Sequence, residues 1–274
     1  MKHQLNGRLA QKQVKVALVG AGGTGSRMLE NLMNLHRAMV ALGHPGGLHV
    51  TLIDDDVVSP SNVGRQAFYP CDVGSYKAFT LINRANMAAQ VSWTAIVDRV
   101  SDNSEGFSNF DLVIGAVDNR TARRAILSAI ENSRRDHTYY LDMGNRSSDG
   151  QILLGEVQGR RRTEPDPTRL PHVGEMFPAL IDSGQDHMED DTPSCSLAEA
   201  LQKQALFINP AMALAASSIL WNLFTKGEIE HHGAFVNLDC LTTMPIPVDR
   251  DFWARFGVHR ACEKRPRLRA AKSK

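Results

Sequence analysis

A glycine-rich loop between an apolar strand and a helix constrains the fold of this chain more than any other feature. The strand is predicted over Val14–Val19, the loop has the spacing Gly20-x-Gly22-x-x-Gly25, and the helix is predicted over 26–42. Such a loop binds phosphate through bare backbone N–H groups and the positive end of the helix dipole. The structural alternative is a glycine turn that only packs a helix on a sheet. The pattern predicts a nucleotide-binding α/β domain.

Strands and helices alternate over the first half of the chain. This alternation predicts a Rossmann-like, doubly wound and mainly parallel sheet with right-handed crossovers. In such folds the ligand lies at the carboxyl ends of the strands. After the first strand and helix, the predicted strands are Leu48–Ile53, 94–97 and 111–115, and the predicted helices are 75–88 and 121–133.

The pattern changes in the second half. Short strands at 138–143 and 152–157, joined by a turn-rich link, predict an antiparallel C-terminal extension of the sheet. Residues 158–194 show neither a helix nor a strand period. The last predicted elements are helices at 197–207 and 211–224 and a strand at 234–241 that would bury Cys240.

These patterns divide the chain into four segments. We expect a nucleotide-binding core over 1–157 and a long crossover-type loop over 158–195. Helices and a strand over 196–263 would complete the same domain, and a basic tail would follow over 264–274.

Composition excludes several classes of protein. The 274 residues carry a net charge of +1, which gives no signal for a nucleic-acid partner. No apolar run approaches the ~20 residues of a membrane span, so no membrane partner is expected. The four cysteines form no Cys-x-x-Cys pair, which argues against a zinc knuckle and a disulfide framework. We expect a cytoplasmic protein.

Acidic and amide side chains follow the second strand directly. Asp54 and Asp56 lie two residues apart, so on a continuing strand both would point to one face, and one of them, preferably Asp56, would hold ribose. Asn62, Arg65 and Gln66 come next. A redox dinucleotide does not need these side chains there, whereas a site that moves charge off a triphosphate does. The alternative for the acids is a plain polar strand end.

Two more positions fit nucleotide chemistry. Lys77 lies near a predicted helix start, where its charge opposes the helix dipole unless a phosphate is close; the alternative is a solvated surface lysine. Asp118 and Asn119 follow the strand at 111–115. Asp118 is a candidate Mg²⁺ ligand, because Mg²⁺ prefers one or two carboxylates plus phosphate oxygens. Alternatively, either residue is simply a helix N-cap.

Together these residues favour adenylation of a carboxylate by ATP. A C-terminal carboxylate has a pKa of ~3.5 and is already a nucleophile at neutral pH, so no general base is needed. The barrier lies in bringing two anions together, which Arg, Lys and Mg²⁺ would relieve. Two alternatives are an NAD(P)-dependent Rossmann oxidoreductase and a non-catalytic nucleotide-binding scaffold.

The motifs resemble those of the ThiF/MoeB/HesA enzymes, relatives of ubiquitin-activating enzymes, from residue 15 to about residue 145. Residues 193–201 are similar to the ThiF-family member of the bacterial PRTRC system, whose clusters are thought to encode a ubiquitin-like protein. The motifs are the glycine loop, Asp54-x-Asp56-x-Val58, Ser61-Asn62-x-x-Arg65-Gln66, Gly74-x-x-Lys77 and Asp118-Asn119-x-x-x-Arg123.

The resemblance implies an activating enzyme that uses ATP and Mg²⁺, works as a homodimer, and acts on the free C-terminus of a small ubiquitin-like or sulfur-carrier protein. It implies that Asn62, Arg65, Lys77 and Asp118 contact ATP or its magnesium and that Asp56 holds ribose. Asp54, Gln66, Asn119 and the loop glycines complete the predicted nucleotide-binding residues.

The chain departs from the family pattern in two places. Many relatives carry two Cys-x-x-Cys pairs for structural zinc; none exists here, so no structural zinc is expected. Relatives also have a long N-terminal segment whose arginine reaches the partner subunit's ATP. Here Arg8 is the sole arginine before the first strand, which leaves open whether it acts across a dimer.

Cys195 is the candidate for a covalent step. Ser196-x-x-Glu199 has the pattern of a capping box, which would place Cys195 beside a helix N-terminus and lower the pKa of its thiol. A thioester with the substrate would then be possible after adenylation. The alternative is a buried, inert cysteine, and the acidic residues at 182–191 would raise the pKa of the thiol.

Overall fold

The computed structural model describes residues 1–101, 104–162, 164, 166, 168–181 and 204–259. Cys195 and most of the helix predicted at 197–207 therefore lie outside the described residues. The described part of that helix, 204–207, is not helical.

An eight-stranded sheet forms the centre of the molecule, in the order β10-β9-β7-β6-β5-β2-β3-β4. Strands β2 to β6 are parallel, whereas β7, β9 and β10 join antiparallel, which confirms the predicted fold class. The short strands β1 and β8 pair separately. The strands are β1 (His3–Gln4), β2 (Val14–Val19), β3 (Leu48–Ile53), β4 (Thr94–Ile96), β5 (Leu112–Gly115), β6 (His137–Asn145), β7 (Asp149–Gln158), β8 (Glu228–Ile229), β9 (His231–Asn237) and β10 (Thr242–Pro247).

Helices cover the sheet. Within the described ranges, α1 packs against α2 and α5, and α5 also contacts β6, β7 and β9. None of these helices is long and apolar enough to cross a membrane. The helices are α1 (Gly23–Ala41), α2 (Lys77–Ala89), α3 (Arg120–Glu131), α4 (Val173–Met176), α5 (Ile208–Lys226) and α6 (Arg250–Ala254).

The apolar pattern of the sequence explains these elements. β2 buries five of its six side chains, as expected for a parallel strand covered on both faces. α5 divides its apolar residues between two environments: Leu220 and Leu223 are buried, whereas Leu214 and Trp221 are exposed. Gly227 ends α5 in the left-handed conformation, with φ of 69°.

The C-terminal strand prediction was partly wrong. β9 ends at Asn237, and the chain then turns, with the Cys240 N–H donating to Asn237 Oδ1 at 3.0 Å. Cys240 is exposed rather than buried. The chain returns as β10, which the sequence analysis missed because its residues are mostly polar or proline and mostly exposed.

Candidate functional site

The predicted site residues meet at the carboxyl ends of β2, β3 and β5. The glycine loop follows β2, Asp54–Asp56 follow β3, and Asp118 follows β5. β3 lies on one side of β2 and β5 on the other, so the chain reverses its direction of winding here. Ligands bind at such switch points in doubly wound sheets. We call this region the carboxyl-edge site.

The glycine loop is held in a shape that requires glycine. Gly20 has φ of 97°, and a Cβ at Gly25 would collide with the Gly20 carbonyl oxygen, so the start of α1 lies directly on the loop. At Gly22, by contrast, nothing in the described chain lies within 4 Å of a Cβ position. The loop therefore packs tightly on α1 and leaves open space beside Gly22.

Asp54 fixes the loop to β3. Its Oδ2 accepts from the Ala21 N–H at 2.6 Å and its Oδ1 from the Asp56 N–H at 3.0 Å. Burial raises the pKa of Asp54, while the Ala21 N–H and the Lys77 charge act in the opposite direction. Asp54 thus contacts the loop backbone with one oxygen and its own turn with the other.

Asp56 differs from Asp54 because β3 ends at Ile53 and the two acids do not share a continuing strand. Asp56 Oδ2 accepts from Lys77 Nζ at 2.7 Å, and the side chain of Asp56 is 57% exposed while that of Lys77 is 8% exposed. The Lys77 N–H also donates to the Asp56 carbonyl at 2.9 Å. The start of α2 is therefore tied to the end of β3, and the lysine charge is brought to the carboxyl-edge site.

Asn62 and Gln66 are buried. Asn62 Oδ1 accepts from the Ser59 N–H at 2.9 Å and shapes the loop that carries Arg65. Gln66 Oε1 is buried without a hydrogen-bond partner among the described residues. Asn62 thus shapes the loop, and Gln66 retains an unused acceptor.

Arg65 and Asp118 face the same region. Arg65 Nη1 donates to Gln204 Oε1 at 3.0 Å, whereas its buried Nε has no partner within the described ranges. Burial lowers the pKa of Arg65, and the nearby negative charge of Asp118 raises it in part. Asp118 itself is exposed. The guanidinium therefore keeps an unused donor within the electrostatic range of an exposed carboxylate.

Asn119 is the N-cap of α3: its Oδ1 accepts from the Ala122 N–H at 2.8 Å, and its Nδ2 donates to Asp118 Oδ1 at 3.3 Å. Asn119 therefore has the N-cap role that the sequence analysis gave as an alternative, and its amide also orients the Asp118 carboxylate.

A buried ion pair supports the same loop. Arg123 Nε donates to Asp142 Oδ1 at 3.1 Å, and Tyr140 Oη donates to the same oxygen at 3.1 Å. Arg123 Nη2 also donates to the Val117 carbonyl at 3.1 Å, directly before Asp118. Burial raises the pKa of Asp142, and the guanidinium of Arg123 opposes this. Sequence analysis listed Arg123 but missed Tyr140 and Asp142, which come from β6.

A chain of one hydroxyl and three amide side chains was also missed. It connects the glycine loop with β6, with the start of α5 and with Arg65. Its members are far apart in the sequence, so no local motif predicts it. Its members are Thr24, Asn145, Gln204 and Asn209.

Two predicted residues remain outside this geometry. Arg8 is exposed, and its N–H donates to Asn6 Oδ1 at 3.1 Å. Cys195 lies outside the described residues. Within the described ranges, no group of three His, Cys, Asp or Glu side chains is placed to hold a metal ion.

The arrangement brings backbone N–H groups, two cations and exposed carboxylates to one edge of a sheet. It is suited to a ligand that carries several phosphates, since the N–H groups at the start of α1 and the unused Arg65 donor all require acceptors.

Comparisons with known proteins give a consistent result. A model of the ThiF family matches residues 3–247. Ubiquitin-activating enzyme E1 1 of Triticum aestivum is 23% identical over 255 residues, which cover 89% of this chain and 24% of that protein. The enzyme of the same name from Schizosaccharomyces pombe is 37% identical over 190 residues, covering 66% and 16%. The adenylyltransferase and sulfurtransferase UBA4 of Yarrowia lipolytica is 33% identical over 137 residues, covering 46% and 31%.

The chain thus spans less than a third of the length of each of these relatives. Among solved structures, that of PaaA aligns with a TM-score of 0.55 and 15% identity, covering 86% of this chain and 64% of that one. This likeness shows the fold alone.

Proposed function

Because the chain belongs to the ThiF family, we propose that its carboxyl-edge site transfers AMP from ATP to the C-terminal carboxylate of a small ubiquitin-like or sulfur-carrier protein. The observation that carries the proposal is that Lys77 pairs with Asp56 and Arg65 senses the charge of Asp118 at the sheet edge that also holds the glycine loop, while the Arg65 Nε lacks a partner among the described residues. An unused buried donor is costly unless a ligand accepts from it.

The reaction needs little chemistry from side chains. A carboxylate oxygen of the substrate bonds to the α-phosphorus, the bond from that phosphorus to the bridging oxygen breaks, and pyrophosphate leaves with the electron pair. The glycine-loop N–H groups, Arg65 and Lys77 would offset the charge of the phosphates. Asp56 contacts Lys77 through Oδ2, and we assign its Oδ1 to a ribose hydroxyl.

Magnesium fits the proposal through one carboxylate. Asp118 is exposed at the end of β5 and would hold the ion, with phosphate oxygens supplying further ligands. When bound, the ion would add positive charge beside the departing pyrophosphate. Asn119 and Arg123 would serve this step by fixing the loop that carries Asp118.

Two further features belong to the proposal. We assign a homodimer, which the exposed Leu214 and Trp221 of α5 support as an apolar face, and a monomeric mass by light scattering at micromolar concentration would contradict it. We also assign Cys195 as the thiol that receives the acyl group, so that AMP leaves and a thioester forms. A thiol-sensitive adduct lost in Cys195→Ala, with pyrophosphate exchange retained, is the expected result.

ATP–pyrophosphate exchange tests the central claim. The similarity of residues 193–201 to the PRTRC member makes the ubiquitin-like protein of such a system the first substrate to try. Exchange should require that protein with a free C-terminus, and the same protein with an amidated C-terminus is the matched control. Exchange that persists with the amidated protein would contradict carboxylate adenylation, and saturable NAD binding without competition from ATP would favour an oxidoreductase.

A further inference from the structure

The side chain of Gln204 lies between Arg65 and the start of α5. Its Oε1 accepts from Arg65 Nη1 at 3.0 Å and from Asn209 Nδ2 at 3.0 Å. Its Nε2 donates to the Arg146 carbonyl at 3.2 Å. Both ends of the amide are therefore used, and its oxygen is fixed toward the guanidinium.

Asn209 ties this amide to the glycine loop. Its Oδ1 accepts from Thr24 Oγ1 at 2.9 Å and from Asn145 Nδ2 at 3.2 Å. Asn209 is buried, and a Cβ at Gly23 would collide with its amide. The position of Gln204 is thus set by the same segment that would bind phosphate, so Arg65 is held beside that segment.

The side chain of Gln204 is neutral, and this limits how firmly it holds Arg65. The hydrogen bond from Arg65 to Gln204 carries charge on the donor side alone, whereas a phosphate oxygen also carries the opposite charge and adds Coulomb attraction to the guanidinium. Arg65 also keeps its Nε unpartnered in the described chain. An anionic ligand at the glycine loop would therefore take Arg65 from Gln204, whereas a carboxylate at position 204 would itself attract the guanidinium and compete with that ligand.

We propose that Gln204 is a positioning residue that holds Arg65 beside the glycine loop in the ligand-free protein and releases it to the phosphates of ATP. This inference rests on the proposed function. It assigns a role to the neutrality of the side chain: Gln204 must be a good enough acceptor to orient Arg65 and too weak to retain it.

Equilibrium binding of Mg²⁺ and α,β-methylene-ATP tests the proposal, with Gln204→Glu and Gln204→Ala made in both wild-type and Arg65→Ala backgrounds. Gln204→Glu should weaken nucleotide binding by about tenfold, the size of one charge-assisted hydrogen bond. Gln204→Ala should cost less than about threefold, because it loosens Arg65 without trapping it. In the Arg65→Ala background, Gln204→Glu should add almost nothing, since coupling requires both side chains.

Three controls separate this role from a general structural one. Adenosine binding should be equal in all variants, because adenosine lacks phosphates. Gln204→Glu gains an ion pair with Arg65 but loses the donor to the Arg146 carbonyl, so the stability change that it causes should be more favourable in the wild-type background than in the Arg65→Ala background. Lowering the pH should restore nucleotide affinity in Gln204→Glu relative to wild type as the introduced carboxyl becomes protonated.

Equal nucleotide affinity in wild type and Gln204→Glu would overturn the proposal, as would an equal loss in both backgrounds. The proposed function fails separately: a wild type that shows the expected coupling but exchanges no pyrophosphate with any ubiquitin-like protein would contradict adenylation alone. A wild type that binds no ATP would contradict both.

Discussion

The two halves of the sheet differ in whether their polar side chains have all their hydrogen-bond partners. In the parallel half, β2 to β6, the loop after β3 carries Arg65, whose Nε has no hydrogen-bond partner among the described residues, and the loop after β5 carries Asp118, which is exposed. The antiparallel half, β7, β9 and β10, encloses His232, and both of its ring nitrogens are occupied. Nδ1 lies 2.8 Å from the Leu154 carbonyl, and Nε2 lies 2.9 Å from Trp253 Nε1.

This difference distinguishes polar groups that are available to a ligand from polar groups that stabilise the fold. The Trp253 N–H can only donate, so His232 Nε2 accepts from it. The His232 Nδ1 is therefore protonated and donates a hydrogen bond to the Leu154 carbonyl. Such a saturated group stabilises the fold and has nothing left for a ligand. An unsaturated donor or acceptor costs free energy in the empty protein and is retained where a ligand completes it. Changes in the parallel half should therefore affect rate, and changes in the antiparallel half should affect stability.

Asp118→Ala should give the largest effect. We expect adenylation to fall by at least about 10³-fold, because a bound cation supplies several kcal/mol of charge stabilisation. The free energy of unfolding should change by less than about 0.5 kcal/mol, since Asp118 is exposed. Pyrophosphate exchange and denaturant unfolding measure the two quantities, and unchanged exchange would remove the magnesium role.

Arg65→Ala should reduce the exchange rate by about 10²–10³-fold if it acts as one electrostatic donor. Arg65→Lys should recover only part of this loss, because lysine keeps the charge without the planar fork. The matched control is Arg99→Ala, which removes an exposed arginine paired with Asp55. A loss below threefold in Arg65→Ala would reassign Arg65 to loop structure.

His232 should make stability depend on pH while leaving the site unaffected. Burial is the main cause that lowers the pKa of His232 from its usual 6.5 to about 4; the Leu154 hydrogen bond opposes it, and the charges of His3 and His231 act with it. Between these values the unfolded chain binds more protons than the folded protein, so stability is full above pH 6.5 and falls toward pH 4. The loss attributable to His232 should reach about 3 kcal/mol.

Urea unfolding of wild type and His232→Gln across this pH range measures the effect. His232→Gln should show a shallower pH dependence, although it is less stable than wild type at neutral pH. The pKa of His3 is also lowered to about 4 by burial, so part of the slope should remain. An identical slope in both proteins would mean that His232 is not the titrating group.

Asn119→Ala should give the smallest effect, and it tests whether a residue of the parallel half can act on stability rather than on rate. Loss of the N-cap should cost about 1 kcal/mol of stability, and Asn119→Asp should retain most of it because its carboxylate can still cap α3. If Asn119 acts mainly as a cap, exchange by Asn119→Asp should stay within a few-fold of wild type. A large loss of rate at full stability would instead support direct contact with the nucleotide.

The sequence predicts the parallel half well because its strands are continuous apolar runs bounded by glycines, acids and helix starts. It predicts less of the antiparallel half: β10 has little apolar period, and the turn at 238–241 interrupts what looks like a longer strand. Asp54, Asp56, Arg65, Lys77 and Asp118 were predicted as site residues from local spacing, and their roles stay predictions. Tyr140, Asp142 and Gln204 were missed, because each acts through a partner far away in the chain.

The prolines of β10 have a consequence for assembly. Proline has no N–H, so the residues that donate to β9 must alternate with Pro245 and Pro247, and both prolines direct their nitrogens away from the sheet. Of the three positions on that outward side, only Thr243 can donate. A foreign strand would therefore find one backbone donor, and the Pro247 carbonyl already accepts from Trp253 Nε1 at 3.2 Å, so this edge should resist recruiting another chain into a growing sheet. Edge-to-edge aggregation is thereby discouraged by two residues that contribute nothing to the chemistry of the molecule.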